Sequence, residues 1–340
     1  FVAPLFFKNN YEISFVDSNM NLINKLNKKK KYYAGLIKKN KYDLSQILIN
    51  KTYHVSEKID VRSFDLVISC VGINNCYKNY ELYKNARYLI SCENDIETVT
   101  KLKKITKNKN VFFGIPDVIT SNTAPKKVLK KDDLTVISED GVLVLEKFVK
   151  QLPKEIEFVS KKNLKKHWIC KLYIHNAPHA IAAYLGYLKK LKFIHESMQN
   201  KKIKKIVEGS IKEITDGLVN FKVIDKKFAY YYMKKELKRF SNKLLFDPIS
   251  RVARDPIRKL SKNDRLIKSI QIALYSKRLP SNCAIGILAA LKYYDKNDEQ
   301  SQQIKYLMEN FGEKYVFKKI CGLDENDPLI DFCLKQNIKI

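Results

Sequence analysis

Apolar residues follow two different rhythms along this chain. In the first part they come as short, nearly unbroken runs at 13–16, 66–71, 88–92 and 111–114, separated by polar stretches of helical character such as 19–27. Short apolar strands alternating with helices predict parallel βαβ units. Runs that are apolar throughout, rather than alternating, predict strands covered by helices on both faces. The expectation is an α/β Rossmann-type doubly wound sheet. A less regular region, 125–155, carries strand-like runs at 134–138 and 142–146 and is expected to hold the passage between domains. Beyond about residue 163 the rhythm changes: 168–191, 203–219, 229–245 and 281–294 place apolar residues three and four apart, the period of a helix. This predicts a nucleotide-binding domain at 1–158 followed by a mainly α-helical substrate domain at 159–340.

Composition supports folded domains. The 340 residues are 45% hydrophobic and 30% charged, with 10 Gly and 9 Pro, which excludes a disordered chain. The formal charge of +29 raises the alternative of a basic nucleic-acid-binding protein. The lysines, however, are spread through nearly every segment, and short stretches such as 28–31 are expected to be solvated faces. The seven cysteines form no CxxC pair and no Cys/His ligand spacing, which predicts reduced thiols, no metal and a cytoplasmic protein. No apolar run approaches the roughly 18 residues needed to span a bilayer, so no membrane partner is expected.

The strand at 11–17 ends in Asp17. In dinucleotide-binding folds an acid at that point hydrogen-bonds the adenosine ribose and disfavours a 2′-phosphate, so Asp17 points to NAD. An Asp after a strand is also common as a helix cap. The glycine-rich turn that cradles a pyrophosphate does not precede it; the chain opens on Phe1, and the first strand and its glycines are expected upstream. Two further strand ends, Val71-Gly72 and Glu93-Asn94, suit the carboxyl edge of such a sheet and complete the candidate NAD contacts.

In the second half, Lys171, Asn176 and His179 put an amine, an amide and an imidazole within nine residues. On an ideal helix they fall at roughly 0°, 140° and 80°. Pro178 lacks an N–H and crowds the preceding turn, so a kink or a fresh helix start is expected there, with Asn176 as its N-cap. Taken alone, a helical Lys is a surface residue and a His is a packing residue.

The spacing Lys-x4-Asn-x2-His, continued by Ala180 and by Ala183-Tyr184-Leu185-Gly186, resembles the catalytic pattern of the polyol-specific long-chain dehydrogenases, the mannitol dehydrogenase family. The likeness takes in Phe15-Val16-Asp17, Asp65-Leu66-Val67, Val71-Gly72, Cys92-Glu93-Asn94, Pro116-Asp117 and Gly322-Leu323-Asp324. Its most specific stretch runs from Arg251-Val252 through Arg254, Pro256, Arg258-Lys259-Leu260-Ser261 to Asp264-Arg265-Leu266-Ile267-Lys268, and is similar to the sugar-phosphate members.

The resemblance implies a metal-independent, NAD-dependent enzyme interconverting mannitol 1-phosphate and fructose 6-phosphate, as a monomer or homodimer. Lys171, kept neutral by desolvation and neighbouring positive charge, would be the general acid/base. Asn176 would donate to the developing oxyanion and His179 would position a neighbouring hydroxyl. Asp117 would orient substrate or the lysine. Arg254, Arg258, Lys259 and Arg265 would bind the phosphate, since guanidinium forks match anionic oxygens, with Asp255 and Asp264 as available structural partners. His54, His167, His175 and His195 are expected to have surface or packing roles. Two departures stand out: Ser121-Asn122 replaces the usual Asp-Arg, and Pro178 stands where a Gly is usual. An unphosphorylated polyol, a sugar acid, or an inactive homologue are the alternatives.

Overall fold

Every short apolar run in the first half becomes a strand, and the surrounding polar segments supply more strands than the pattern showed. The computed structural model describes residues 1–129, 132–147, 152 and 156–340, so 130–131, 148–151 and 153–155 of the expected passage between domains lie outside the described residues. The chain forms two units, Phe1–Trp168 and Ile169–Ile340.

The first unit starts with α1 (Val2–Phe7), β1 (Ser14–Asp17) and α2 (Met20–Lys29). Asn19 caps α2 by accepting from the Leu22 N–H, and Ile23 and Leu26 give the helix its buried face. Next come β2 (Lys31–Lys38), β3 (Lys41–Leu48), β4 (Lys51–His54), β5 (Val67–Ser69) and α3 (Ile73–Lys78). They are followed by β6 (Leu89–Ser91), α4 (Glu97–Thr106), β7 (Val111–Asp117), β8 (Thr120–Ser121), β9 (Val136–Glu139), β10 (Val142–Glu146), β11 (Ile156–Val159) and α5 (Lys161–Ile169).

Three sheets result, ordered β1-β4, β11-β10-β7-β6-β5 and β3-β2-β9-β8. The expected parallel pairing holds across β5, β6 and β7, in register Ser69 to Ser91 to Phe113, so these strands finish on one edge. Parallel pairing also joins β1 to β4, β10 to β11 and β2 to β9, whereas β10 runs antiparallel to β7, β8 to β9, and β2 to β3. The last case follows from the connection. Lys38 pairs with Lys41, and a two-residue link can only reverse the chain. Lys39 and Asn40 have φ of 44° and 60°, the left-handed pair of a type I′ turn.

One core cluster packs Ile13, Leu66 and Ile68 with Phe6, Ile90, Leu143, Leu145 and Ile156, and another packs Leu26 of α2 with Tyr32, Ala34 and Ile47 of β2 and β3. Leu164 of α5 is buried with Phe113, Ile115 and Val144, and Trp168 Nε1 donates to the Asn94 carbonyl at 3.4 Å. These contacts tie α5 to the first unit and carry its end to residue 168, against the expected 158.

The second unit is helical, as its period predicted: α6 (Ala177–Leu188), α7 (Ile194–Gln199), α8 (Lys201–Asn220), α9 (Lys226–Phe240), α10 (Ile249–Ala253), α11 (Pro256–Leu260), α12 (Ile267–Ala273), α13 (Ser281–Leu291), α14 (Glu299–Lys319) and α15 (Pro328–Leu334). Residues 177–186 of α6 are all buried, because α7, α8, α10 and α13 surround it. Gly186 permits the closest approach. A Cβ there would come within 2.1 Å of Ser197 Oγ and 2.6 Å of Ile249 Cδ1. No helix among the described residues is long and apolar enough to cross a membrane.

Candidate active site

The segment that carries the candidate chemistry is not an ordinary helix. Cys170–Asn176 is a seven-residue π-helix that passes directly into α6. In the i→i+5 register, residues five apart come onto one face, so Asn176 sits one turn above Lys171. Three α-helical residues then lead to His179. The trio therefore shares an arc of roughly 60°, instead of the roughly 140° of an ideal α-helix. The widened turn also explains how Pro178 is accommodated. Pro178 is the second residue of α6, directly after the change from i→i+5 to i→i+4 bonding, so the donor it lacks falls where the ladder is already interrupted.

Neither the expected fresh helix start nor the capping role of Asn176 is found, because Asn176 and Ala177 both keep helical backbone angles across the junction. Asn176 has helical backbone angles and its side chain makes no cap hydrogen bond. Among the described residues its carboxamide has no partner, which leaves both amide hydrogens for a ligand. Lys171 is half-buried.

His179 is buried with Nε2 2.8 Å from Asp247 Oδ2, and its ring stacks on Phe240 at 5.0 Å and 6°. The contact is close but off the hydrogen-bond axis, so neither Nε2 nor Oδ2 has an aligned partner. Asp247 Oδ1 accepts from Arg251 Nη2 at 2.5 Å and Nε at 3.2 Å. Burial pushes the Asp247 carboxyl up, but His179 and Arg251 outweigh it and hold the group below its usual value. A second set of contacts lies alongside. His175 Nδ1 meets Glu236 Oε2 at 2.5 Å, Glu236 Oε1 accepts from Arg239 at 2.6 Å, and the His175 ring is 5.0 Å from that of His179. His175 is thus packed, as expected, but also hydrogen-bonded to a buried carboxylate. Asp247 and Glu236 were missed by the sequence reading; they approach from elements far along the chain, and no local spacing marks them.

The basic block folds largely on itself. Arg265 is buried and donates to Asp264 at 2.8 Å, and Arg258 lies between Asp264 at 3.6 Å and Asp255 at 3.7 Å. Lys259 is buried too, with Nζ donating to the Arg254 carbonyl. Burial, with Arg265 and Arg258 nearby, pushes its amine down to about 6. Of the four expected phosphate contacts Arg254 is the exposed one, in loose contact with Asp255 at 3.9 Å.

In the first unit, Asp17 ends β1, and its Oδ1 accepts from the Asn19 N–H at 2.8 Å. Val71 and Gly72 form the turn after β5. Gly72 has φ of 88°, and a Cβ there would meet nothing within 4 Å, so the outer side of the turn is open. Glu93 stands behind that turn: Oε1 accepts from Ser69 Oγ at 2.8 Å and Val71 N at 2.9 Å, and Oε2 from Gly72 N at 2.9 Å. Buried and fully bonded, it braces the turn rather than facing the open side. Asn94 is exposed after β6, and Asp117 is buried at the end of β7. Ser121, in place of the usual acid, is tied to Thr123 at 2.8 Å.

Residues 163–319 match the mannitol dehydrogenase C-terminal domain family. Over nearly its whole length the chain is 31% identical to mannitol-1-phosphate 5-dehydrogenase of Clostridium acetobutylicum, covering 97% of this chain and 92% of that protein. The protein of the same name from Caldanaerobacter subterraneus subsp. tengcongensis is 30% identical with the same coverage, 97% and 92%. Among solved structures, Pseudomonas fluorescens mannitol 2-dehydrogenase, in ternary complex with NAD and D-mannitol, is similar with a TM-score of 0.71 at 15% identity, over 95% of this chain and 84% of that one. A substrate-free D-sorbitol dehydrogenase gives a TM-score of 0.68 at 15% identity, over 98% and 89%. An α/β unit followed by a helical unit is the fold this chain shares with these polyol dehydrogenases. Within that class, this chain belongs to the mannitol-1-phosphate 5-dehydrogenase family.

Proposed function

We propose that this chain interconverts D-mannitol 1-phosphate and D-fructose 6-phosphate with NAD, as a cytoplasmic monomer or homodimer. The observation that carries the reading is the full-length likeness to mannitol-1-phosphate 5-dehydrogenases together with the gathering of Lys171, Asn176 and His179 on one face of the π-to-α junction. Asp17, Val71, Gly72 and Asn94 would hold NAD, which supplies the hydride acceptor when bound.

In polyol oxidation Lys171 takes the hydroxyl proton as the carbinol carbon gives up its hydride; in ketone reduction it returns that proton to the oxygen. The Asn176 amide donates to the same oxygen while negative charge develops there, without itself gaining or losing a proton. His179 accepts from an adjacent hydroxyl and so fixes the sugar chain. Asp117 assists in orientation. Arg254 and Arg258 are the cations offered to the phosphate, whose oxygens can displace the long contacts to Asp255. Lys259 and Arg265 shape the block from within.

One observation favours an unphosphorylated polyol or a sugar acid as the second reading: the self-pairing of Arg258 and Arg265, with Asn122 where a cation is usual. Steady-state NADH oxidation with fructose 6-phosphate and with fructose separates the two. A strong preference for the phosphate is expected, and equal kcat/KM for both sugars would overturn the phosphate assignment. Lys171→Ala should lower kcat by about 10²- to 10⁴-fold with the fold intact. An unchanged kcat would sink the acid/base role.

A further inference from the structure

Buried carboxylates in the second unit divide into two kinds. Glu213 accepts from Asn282 N, Asn282 Nδ2 and Cys283 N, and Glu236 from His175 and Arg239; both are fully used in holding helices together. Asp247 differs. One oxygen is occupied by Arg251, while Oδ2 lies against His179 Nε2 without an aligned bond. Leaving two buried polar atoms in contact but unaligned forfeits a bond that a purely structural pair would make. Hydrogen bonds of a catalytic constellation are often off-axis before substrate arrives and tighten in the complex.

The surroundings restrict how the ring can respond. Phe240 covers one face of His179, and the His175 ring lies 5.0 Å away. Asp247 is itself fixed: its carbonyl accepts from the Ile194 N–H at 3.0 Å, and Arg251 grips Oδ1 from the first turns of α10. A carboxylate beside one imidazole nitrogen favours the hydrogen on that nitrogen and leaves the other as an acceptor. Nδ1 makes no hydrogen bond among the described residues and is not enclosed in the core.

We infer that Asp247 is a positioning residue for the reaction: held by Arg251, it fixes the ring angle and the Nε2–H tautomer of His179, so that Nδ1 presents its lone pair to a substrate hydroxyl. The inference rests on the function proposed above, through the role given there to His179.

The test is a double-mutant cycle on the intact protein with Asp247→Asn and His179→Asn, read by NADH-dependent reduction of fructose 6-phosphate. The amide of Asp247→Asn can turn an N–H toward Nε2 and favour the opposite tautomer. Its kcat should fall by about 10²-fold, with little change in NADH affinity. In the His179→Asn background the same substitution should cost less than about threefold, because the residue it acts through is gone. Equal losses in both backgrounds, or wild-type kcat in Asp247→Asn, would overturn the inference while the proposed function stands. Inactivity of the wild-type protein on the phosphorylated sugar would instead overturn both. Should Asp247→Asn fail to fold, the 15N shifts of His179 in the wild type decide: an Nε2–H tautomer is expected, and an Nδ1–H tautomer refutes the inference.

Discussion

Glu93 in the first unit and Asp247 in the second are both buried carboxylates beside candidate site residues, yet they are used in opposite ways. Glu93 spends both oxygens on Ser69, Val71 and Gly72, so its charge is consumed in shaping a turn. Asp247 spends one oxygen on Arg251 and keeps the other against a histidine without closing the bond. A satisfied carboxylate is a piece of scaffold. An unsatisfied one holds interaction energy in reserve for a different geometry.

The sharpest way to break this contrast is to remove the scaffold member. Glu93→Ala strands one buried donor, Ser69 Oγ, and two part-buried ones, Val71 N and Gly72 N, and unfolding in urea should show a loss of about 2 kcal/mol, with NADH affinity falling at least about tenfold. Stability lost with NADH binding intact would separate the turn from the cofactor site.

Lys259 tests the other side of the contrast, a buried charge-bearing group without a carboxylate in contact. Between about pH 6 and 10.5 the folded chain keeps its amine neutral, whereas the unfolded amine binds a proton. The unfolded state then holds more protons, so this group's contribution to stability rises with pH across that window, by at most about 1.4 kcal/mol per pH unit. Lys259→Met should flatten the slope measured by urea melts from pH 6.5 to 9. An unchanged slope would mean that the amine is charged in the folded protein.

The smallest effect belongs to Gly72→Ala. Nothing stands in the way of a Cβ, so only the backbone conformation at φ of 88° is strained, at a cost of about 1 kcal/mol. A loss several times larger would show that the open side of the turn is not open.

How much of this was legible in the sequence depended on range. Unbroken apolar runs announced β1, β5, β6, β7 and β10 because each strand writes its own local pattern. The β2–β3 hairpin went unread, since its reversal uses Lys39-Asn40 at positive φ with no glycine to signal it. The Lys-Asn-His spacing was visible, but its meaning changed with the π-turn, which has no hydrophobic period of its own. Glu236 lies 61 residues from His175, and Asp247 follows His179 at comparable range, so only folding brings them together. In the 251–268 block the arginines and their acidic neighbours were plain, but which of them pair and which stay exposed is decided by burial, and that left Arg254 outermost.

The enclosure of α6 has a consequence for motion. With residues 177–186 all buried, its amide hydrogens should exchange with solvent only through global opening, the slowest class in the molecule. His179 therefore rides on the element least able to fluctuate, while Lys171 and Asn176 sit on the wider turn that precedes it. Hydrogen exchange should place the amides of 179–186 in that slowest class, so that the histidine of the reacting trio is held by the most persistent part of the second unit.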